Sequence, residues 1–229
     1  MDLRDVYTAI PRRYEAVNHV ITLGLDTVWR GAAARAAARA AGGGPWLDLC
    51  CGTGETAALL GRRAPAGTKV VAADVSLPML REGRRRRPGA LSRAAAAEAA
   101  ALPFPDGTFG LVVITFAARN LDSRPGLLET SLAEIQRVLR PGGALVNLET
   151  SRPSLPPVRW ALYLWTAGAV PPIGRLLSGE RAGYAYLSSS IRHFRPAAGL
   201  AEMMLRTGFS AVGWRPLLFG TAAIHTAVR

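Results

Sequence analysis

Two rhythms of apolar and polar positions divide the chain. Over about Arg4 to Val20 and Asp26 to Ala41 the apolar residues recur at helical spacing, and Gly42-Gly43-Gly44 stops the second run. Beyond that stop, short apolar runs alternate with helix-length amphipathic segments. The alternation predicts a parallel sheet with crossover helices. The predicted strands are Trp46–Leu49, Val70–Asp74, Leu91–Ala95, Leu111–Phe116, Ala144–Glu149, Ala211–Leu217 and Ala222–Val228. The predicted helices between them are Glu55–Arg63, Leu77–Arg86, Gly126–Leu139 and Ala197–Thr207. Leu139-Arg140-Pro141-Gly142-Gly143 reads as a helix stop followed by a tight turn. Ser151 to Arg195 is too long for a simple crossover and should form a helical cap between strands five and six. The whole is a doubly wound α/β fold, seven-stranded and mostly parallel, in one domain over residues 1–229. Its expected parts are N-terminal helices (1–41), a core (42–150), a cap (151–195) and a closing helix with a strand pair (196–229).

Composition narrows this frame. At 229 residues and 49% hydrophobic, the chain can bury a full core. Its two cysteines, Cys50 and Cys51, are adjacent and form no useful cross-link, which suits a reducing cytoplasm. Eight charged side chains within the first thirty residues do not read as a signal peptide. The longest uncharged apolar run, Trp160 to Gly174, contains Pro171 and Pro172 and falls short of the roughly twenty residues a spanning helix needs. The formal charge of +12 is almost all arginine, since Lys69 is the only lysine. Arg84 to Arg87 is the densest cluster and should sit at a helix C-terminus, where cations complement the macrodipole. An anionic lipid surface or nucleic acid is the alternative reading of that charge. No aromatic residues interleave with the cluster, so no nucleic acid is expected.

Asp48-Leu49-Cys50-Cys51-Gly52-Thr53-Gly54 follows a strand and opens a helix. Glycines there let a ligand approach the backbone, and the helix N-terminus offers free N–H groups. The turn is not the Gly-x-Gly-x-x-Gly of a dinucleotide site, and Asp48 would repel a diphosphate. A ligand with an ammonium group suits it, and S-adenosylmethionine has one. Asp74, 26 residues after Asp48, is placed to accept from two vicinal ribose hydroxyls, with Val75 beside it; the alternative is a turn or N-cap carboxylate. Glu98, with Ala99, precedes Leu102-Pro103-Phe104-Pro105 and is placed to face the adenine amino group. Thr115 should line the pocket near the sulfonium. These residues predict a Rossmann-like, class I S-adenosylmethionine-dependent methyltransferase with no metal.

On this reading the chain resembles the ubiquinone/menaquinone biosynthesis C-methyltransferase family from about Tyr7 to Thr226. The resemblance rests on Tyr14-Glu15-Ala16-Val17-Asn18, Trp29-Arg30, Asp48–Gly54, Ala101–Pro105 and Phe116-Ala117-Ala118-Arg119-Asn120. It continues through Arg137–Gly143, Leu148–Pro153, Val170–Gly174 and Tyr184-Ala185-Tyr186-Leu187. It implies methyl transfer to a ring carbon of a demethylmenaquinol or a polyprenyl-methoxy-benzoquinol, with Thr53, Asp74 and Glu98-Ala99 contacting the cofactor. Three departures stand out: Gly110 replaces an aspartate, Glu15 stands where aspartate is usual, and Arg195 interrupts a Phe-Pro pair.

Carbon methylation needs an electron-rich ring, which a deprotonated hydroquinone supplies. Arg119 and Asn120, at the end of the fourth strand, are placed to bind the phenolate oxygen. His193, Glu149, and Tyr14 acting through a water are the candidate bases. Each has a plainer reading: His193 at the surface, Arg119 paired to Glu149, Tyr14 packing its helix. Trp160-Ala161-Leu162-Tyr163-Leu164-Trp165 reads as a lining for a prenyl tail, as an interfacial surface, or as ordinary core. The partner implied is a prenylated quinol; the frame is compatible with a cytoplasmic protein touching the inner membrane face, and with a homodimer. The runner-up function is a small-molecule O- or C-methyltransferase acting on another phenolic or apolar natural product. Phe116-Ala117-Ala118-Arg119 lacks the Asp/Asn-Pro-Pro-aromatic run of enzymes that methylate nucleic-acid amines.

Overall fold

A computed structural model describes residues 11–178 and 182–229. The Arg4–Ile10 part of the predicted first helix lies outside them. Helix α1 (Pro11–Ile21) leads through a left-handed turn at Leu23 and Gly24 into α2 (Leu25–Ala40). Asp26, Arg30, Ala33, Ala34 and Ala37 form the buried stripe of α2. Its alanines are strong helix formers and small enough to bring the helix close to the sheet.

The core then alternates as predicted: β1 (Trp46–Leu49), α3 (Glu55–Gly61), β2 (Val70–Asp74), α4 (Leu77–Arg86), β3 (Ala94–Ala96) and β4 (Phe109–Thr115). Next come α5 (Ala118–Leu121), α6 (Leu127–Val138) and β5 (Leu139–Thr150). A cap of α7 (Pro156–Gly168), α8 (Val170–Ser178) and α9 (Ala182–His193) precedes α10 (Ala197–Arg206), β6 (Ala211–Leu217) and β7 (Ala222–Val228). The sheet order is β3-β2-β1-β4-β5-β7-β6, with β7 antiparallel to both neighbours and the other pairs parallel. Both faces of the central strands are covered. Leu47, Leu49, Val112, Ile114 and Leu145 pack toward α6 and α10. Trp46, Leu111, Val113, Val146 and Leu148 pack toward α2. Burial on both sides explains why β4 reads as an unbroken apolar run.

The sequence expectations need four corrections. Leu91 does not begin β3; it is a fully buried plug whose side chain packs on Gly54 and Gly83, locking α3 against α4. β4 ends at Thr115 because Phe116 turns left-handed at φ 58°. β5 begins at Leu139, which pairs with Phe109 before a bulge carries the Pro141-Gly142 loop outward. A short helix, α5, was not expected at all. The cap is helical as predicted, and it also gathers α1: Val17 and Ile21 pack with Val170, Ile173, Leu177 and Leu187.

Gly110 has a steric cause. Its amide donates to the Pro45 carbonyl at 3.0 Å, and a Cβ there would overlap the Gly43 carbonyl oxygen. Backbone cannot swing away as a flexible side chain would. Gly110→Ala should therefore cost about 1–3 kcal/mol of stability, measured by denaturant unfolding. A change below about 0.5 kcal/mol, the range of neutral surface substitutions, would contradict this packing.

Candidate functional site

The carboxyl ends of β1 and β4 lie side by side where the strand order reverses, the crevice in which open α/β sheets bind ligands. Two non-glycine residues adopt left-handed backbone there, Cys50 (φ 55°) and Phe116 (φ 58°). Such conformations cost free energy and are retained where the chain must turn sharply at a site. A cavity opens beside them. Of the residues singled out in the sequence, Cys50, Gly52, Asp74, Val75, Glu98, Ala99, Thr115 and Asn120 line it.

Asp74 organises this wall. One carboxylate oxygen accepts from the Gly52 amide at 2.7 Å and the other from the Ser76 amide at 2.8 Å. The turn after β1 is thereby tied to the turn after β2, while each oxygen keeps a lone pair for a ligand. Ser76, not Asp74, caps α4, accepting from the Met79 amide. Gly54 is left-handed at φ 81° and carries Leu91 within 2.9 Å of its missing Cβ, so the turn cannot take a larger residue. Burial pushes both cysteine thiols up and keeps them neutral: Cys50 lines the cavity, while Cys51 packs away from it with Ala57, Ala72 and Leu80.

Three expected cofactor contacts lie off the cavity. Gly54 sits behind the turn. Thr53 is buried, and its hydroxyl donates to the Glu15 carboxylate. Asp48 is fully buried: strand alternation places it with Trp46 on the α2 and α3 face, away from the crevice. Among the described residues neither of its oxygens meets a partner at full hydrogen-bond geometry. Burial raises its pKa to about 7, against the opposing charge of Arg30.

Arg30 was quoted only within a motif. Its guanidinium donates to Thr56 at 3.1 Å and Thr115 at 2.6 Å, and lies 5.0 Å over the Phe116 ring. It thus braces the ends of α3 and β4 from beneath. An arginine on the alanine stripe of α2 was the available signal. The Arg84–Arg87 cluster does end a helix, as expected; Arg84 and Arg85 stay exposed, while Arg86 and Arg87 turn partly inward. Arg85 and Arg86 pair with Glu82, and Arg86 and Arg87 with Glu15 at 3.1 and 2.6 Å. Although burial raises the Glu15 carboxyl, bonds from Arg87 and Thr53 outweigh it and leave the pKa lowered. Glu15 in place of aspartate gives α1 the reach to clamp the glycine turn.

The catalytic candidates separate. Asn120 lines the cavity, together with Leu121 and Arg124, which the motifs did not point to. Arg119 does not: its guanidinium donates to Glu149 at 2.9 Å and to Thr150 at 3.2 Å, both partners of the ion pair being buried. The structural reading of Arg119 is the one this geometry supports. Glu149 also accepts from the Arg119 and Thr150 amides at 3.1 and 2.8 Å, which leaves it poorly suited to act as a base. His193 is exposed on α9, with Nδ1 at 2.8 Å from its own helix's Ser189 carbonyl, away from the cavity. The Tyr14 side chain lies outside the described residues.

The ubiE/COQ5 methyltransferase family matches the chain over residues 1–229. A demethylmenaquinone methyltransferase of Parafrankia sp. is 39% identical over 242 residues, spanning 98% of this chain and 92% of that protein. One from Thermus thermophilus is 39% identical over 228 residues, covering 98% of this chain and 100% of its own length. Among solved structures, a SAM-dependent methyltransferase from Aquifex aeolicus superposes with a TM-score of 0.55 at 18% identity, over 82% of this chain and 83% of that one. At that identity the likeness speaks for the fold.

The raised Asp48 carboxyl has a consequence for stability. Its folded value of about 7 exceeds the ordinary one, so the folded state holds a proton that the unfolded chain releases. Its contribution to stability therefore falls as pH rises from about 4 to about 7, and is flat above. Asp48→Asn should gain stability relative to the parent across that window, read by denaturant unfolding of the ligand-free protein at several pH values. Parallel pH profiles for the two proteins would contradict the assignment.

Proposed function

The chain belongs to the ubiE/COQ5 methyltransferase family, and from that premise we propose that it methylates a ring carbon of a prenylated quinol, demethylmenaquinol, at the membrane surface. The observation that carries this reading is the cavity at the sheet's carboxyl edge, where Asp74 and Asn120 line one space in a chain 39% identical to demethylmenaquinone methyltransferases. S-adenosylmethionine, when bound, supplies a sulfonium methyl that an electron-rich carbon can take, leaving a neutral thioether.

The lining suits that molecule. Asp74 offers an oxygen to each of two vicinal hydroxyls, and Met79, Ala97 and Ala99 give a narrow apolar slot for a flat base, with Glu98 beside them. On the acceptor side, Asn120 carries two amide donors for a phenolate oxygen. Arg124 adds positive charge, which favours the ionised phenol. Arg119 works as a positioning residue: its pair with Glu149 ties α5 to β5 and so holds Asn120 at the cavity wall.

The cofactor half makes one prediction. Asp74→Ala should weaken S-adenosylmethionine binding at least about 100-fold, since two hydrogen bonds to charge are lost at about 1.5–3 kcal/mol each. Calorimetric titration checks it, with circular dichroism confirming the fold because Asp74 also ties the turns. Unchanged affinity in a folded variant would remove the ribose assignment.

The reaction itself sets the next test. A quinone ring is electron-poor and has no reason to attack a sulfonium methyl. The quinol, with one hydroxyl ionised, places negative charge on the ortho carbon. There the new C–CH3 bond forms, the S–CH3 bond breaks, and the ring C–H proton leaves to restore aromaticity. Purified protein should methylate a short-tailed demethylmenaquinone only in the presence of dithionite or borohydride, giving a product stable to ether cleavage. Equal turnover without reductant would overturn the mechanism; a methyl on oxygen would make the protein an O-methyltransferase.

A further inference from the structure

Helix α7 turns apolar residues to the outside. Its protein-facing side carries the buried Thr166, and Tyr163, whose hydroxyl donates to the Arg192 carbonyl at 3.3 Å. Its outward positions are Pro157, Trp160, Ala161, Leu164, Trp165, Ala167 and Gly168, all exposed and none charged. A surface helix of a soluble domain normally presents the reverse. Trp160 is 65% and Leu164 71% exposed. Trp165 hydrogen-bonds through its indole to the Ile21 carbonyl at 2.9 Å, which sets the α1–α2 turn, with Leu23 73% exposed, beside the same face. Leu176 on α8, 84% exposed, stands next to the exposed Arg175. Contiguous exposed hydrocarbon of this kind marks a docking surface.

Charge identifies what docks. Between Arg152 and Arg195 the sequence has six arginines and one carboxylate, Glu180. Among the described residues of that stretch no side chain is acidic, and Arg152 and Arg175 are exposed. Some arginines elsewhere in the molecule pair with carboxylates, as at Glu15, Glu82 and Asp106, and Arg195, at the end of this stretch, pairs with Asp122. In the cap, exposed arginines with no acidic side chain among the described residues of the stretch thus accompany an apolar face bearing two tryptophans. Tryptophan and leucine entering the acyl boundary, with arginine heads at phosphate level, is the chemistry of an interfacial helix.

We propose that the outward face of α7, with Leu23 and Leu176, docks the protein on an anionic lipid bilayer. This deepens the prenylated-quinol reading and rests on it for purpose, because such a tail dissolves in the bilayer; the surface itself rests on exposure and charge. The cap also packs on α1, which clamps the glycine turn through Glu15, so the docked face and the cofactor wall share one helix.

The test is co-sedimentation of the full chain with vesicles of phosphatidylcholine alone or mixed with phosphatidylglycerol. Binding should need the anionic lipid and weaken as ionic strength rises. In the Trp160→Ser/Leu164→Ser variant the vesicle partition coefficient should fall at least about tenfold, with the melting temperature and turnover of a soluble, reduced, short-tailed quinol retained. Failure of the parent to bind, or equal binding by the variant, overturns the proposal. A parent that self-associates through this face, and a variant that becomes monomeric with no vesicle binding by either, also overturns it in favour of a second copy as the occupant. Vesicle binding without methylation of the soluble quinol supports the docking surface and overturns only the acceptor assignment.

Discussion

The site depends on one carboxylate receiving two backbone amides. Asp74 takes the Gly52 N–H and the Ser76 N–H, so the loops leaving β1 and β2 are held by a single side chain. Parallel strands bring their carboxyl ends to one edge, but nothing in that geometry fixes the loops beyond them. The Asp74 bonds do so, at the cost of burying a carboxyl whose pKa burial pushes up. The left-handed backbone at Cys50 and Phe116 then becomes tolerable, because packing on both sides fixes it. The wall of the cavity follows from that arrangement.

Around this wall the ionic groups do mechanical work. Arg30 braces β4 and α3 from beneath, Glu15 straps α1 across the glycine turn, and Arg119 ties α5 to β5. Arg137 does the same for the loop ahead of β4, donating to the Leu102 and Phe104 carbonyls and to Asp106. A buried ion pair is a weak source of net stability, but removing one member is costly because the other is left charged and unpaired. These arginines therefore act as fixed struts, and the basic composition says little about nucleic acid.

The strands and the glycine turn were legible because their signals are local: apolar period, helix stops, and glycines where a left-handed turn is needed. Leu91 misled because an apolar residue beside a strand looks like strand, while its burial comes from two glycines distant in sequence. Asp48 and Thr53 lie off the cavity for a related reason. A motif states which residues surround a ligand, but only side-chain direction decides which of them face it, and strand alternation turned Asp48 to the helical side. Arg119 and Glu149 are 30 residues apart, and the sequence offered their pairing only as the alternative to a catalytic role; laying β4 and β5 side by side is what brings the two together. His193 was singled out for its chemistry alone. Its helix points it outward.

The most direct measurement is the structure of the complex with S-adenosylhomocysteine. The two ribose hydroxyls should lie at about 2.7 Å from the Asp74 oxygens, with the Gly52 amide bond to the same carboxylate intact and the thioether sulfur opening toward Asn120. A ligand whose ribose lies away from Asp74, or whose sulfur faces a wall without Asn120, would contradict the assignment of this cavity to methyl transfer.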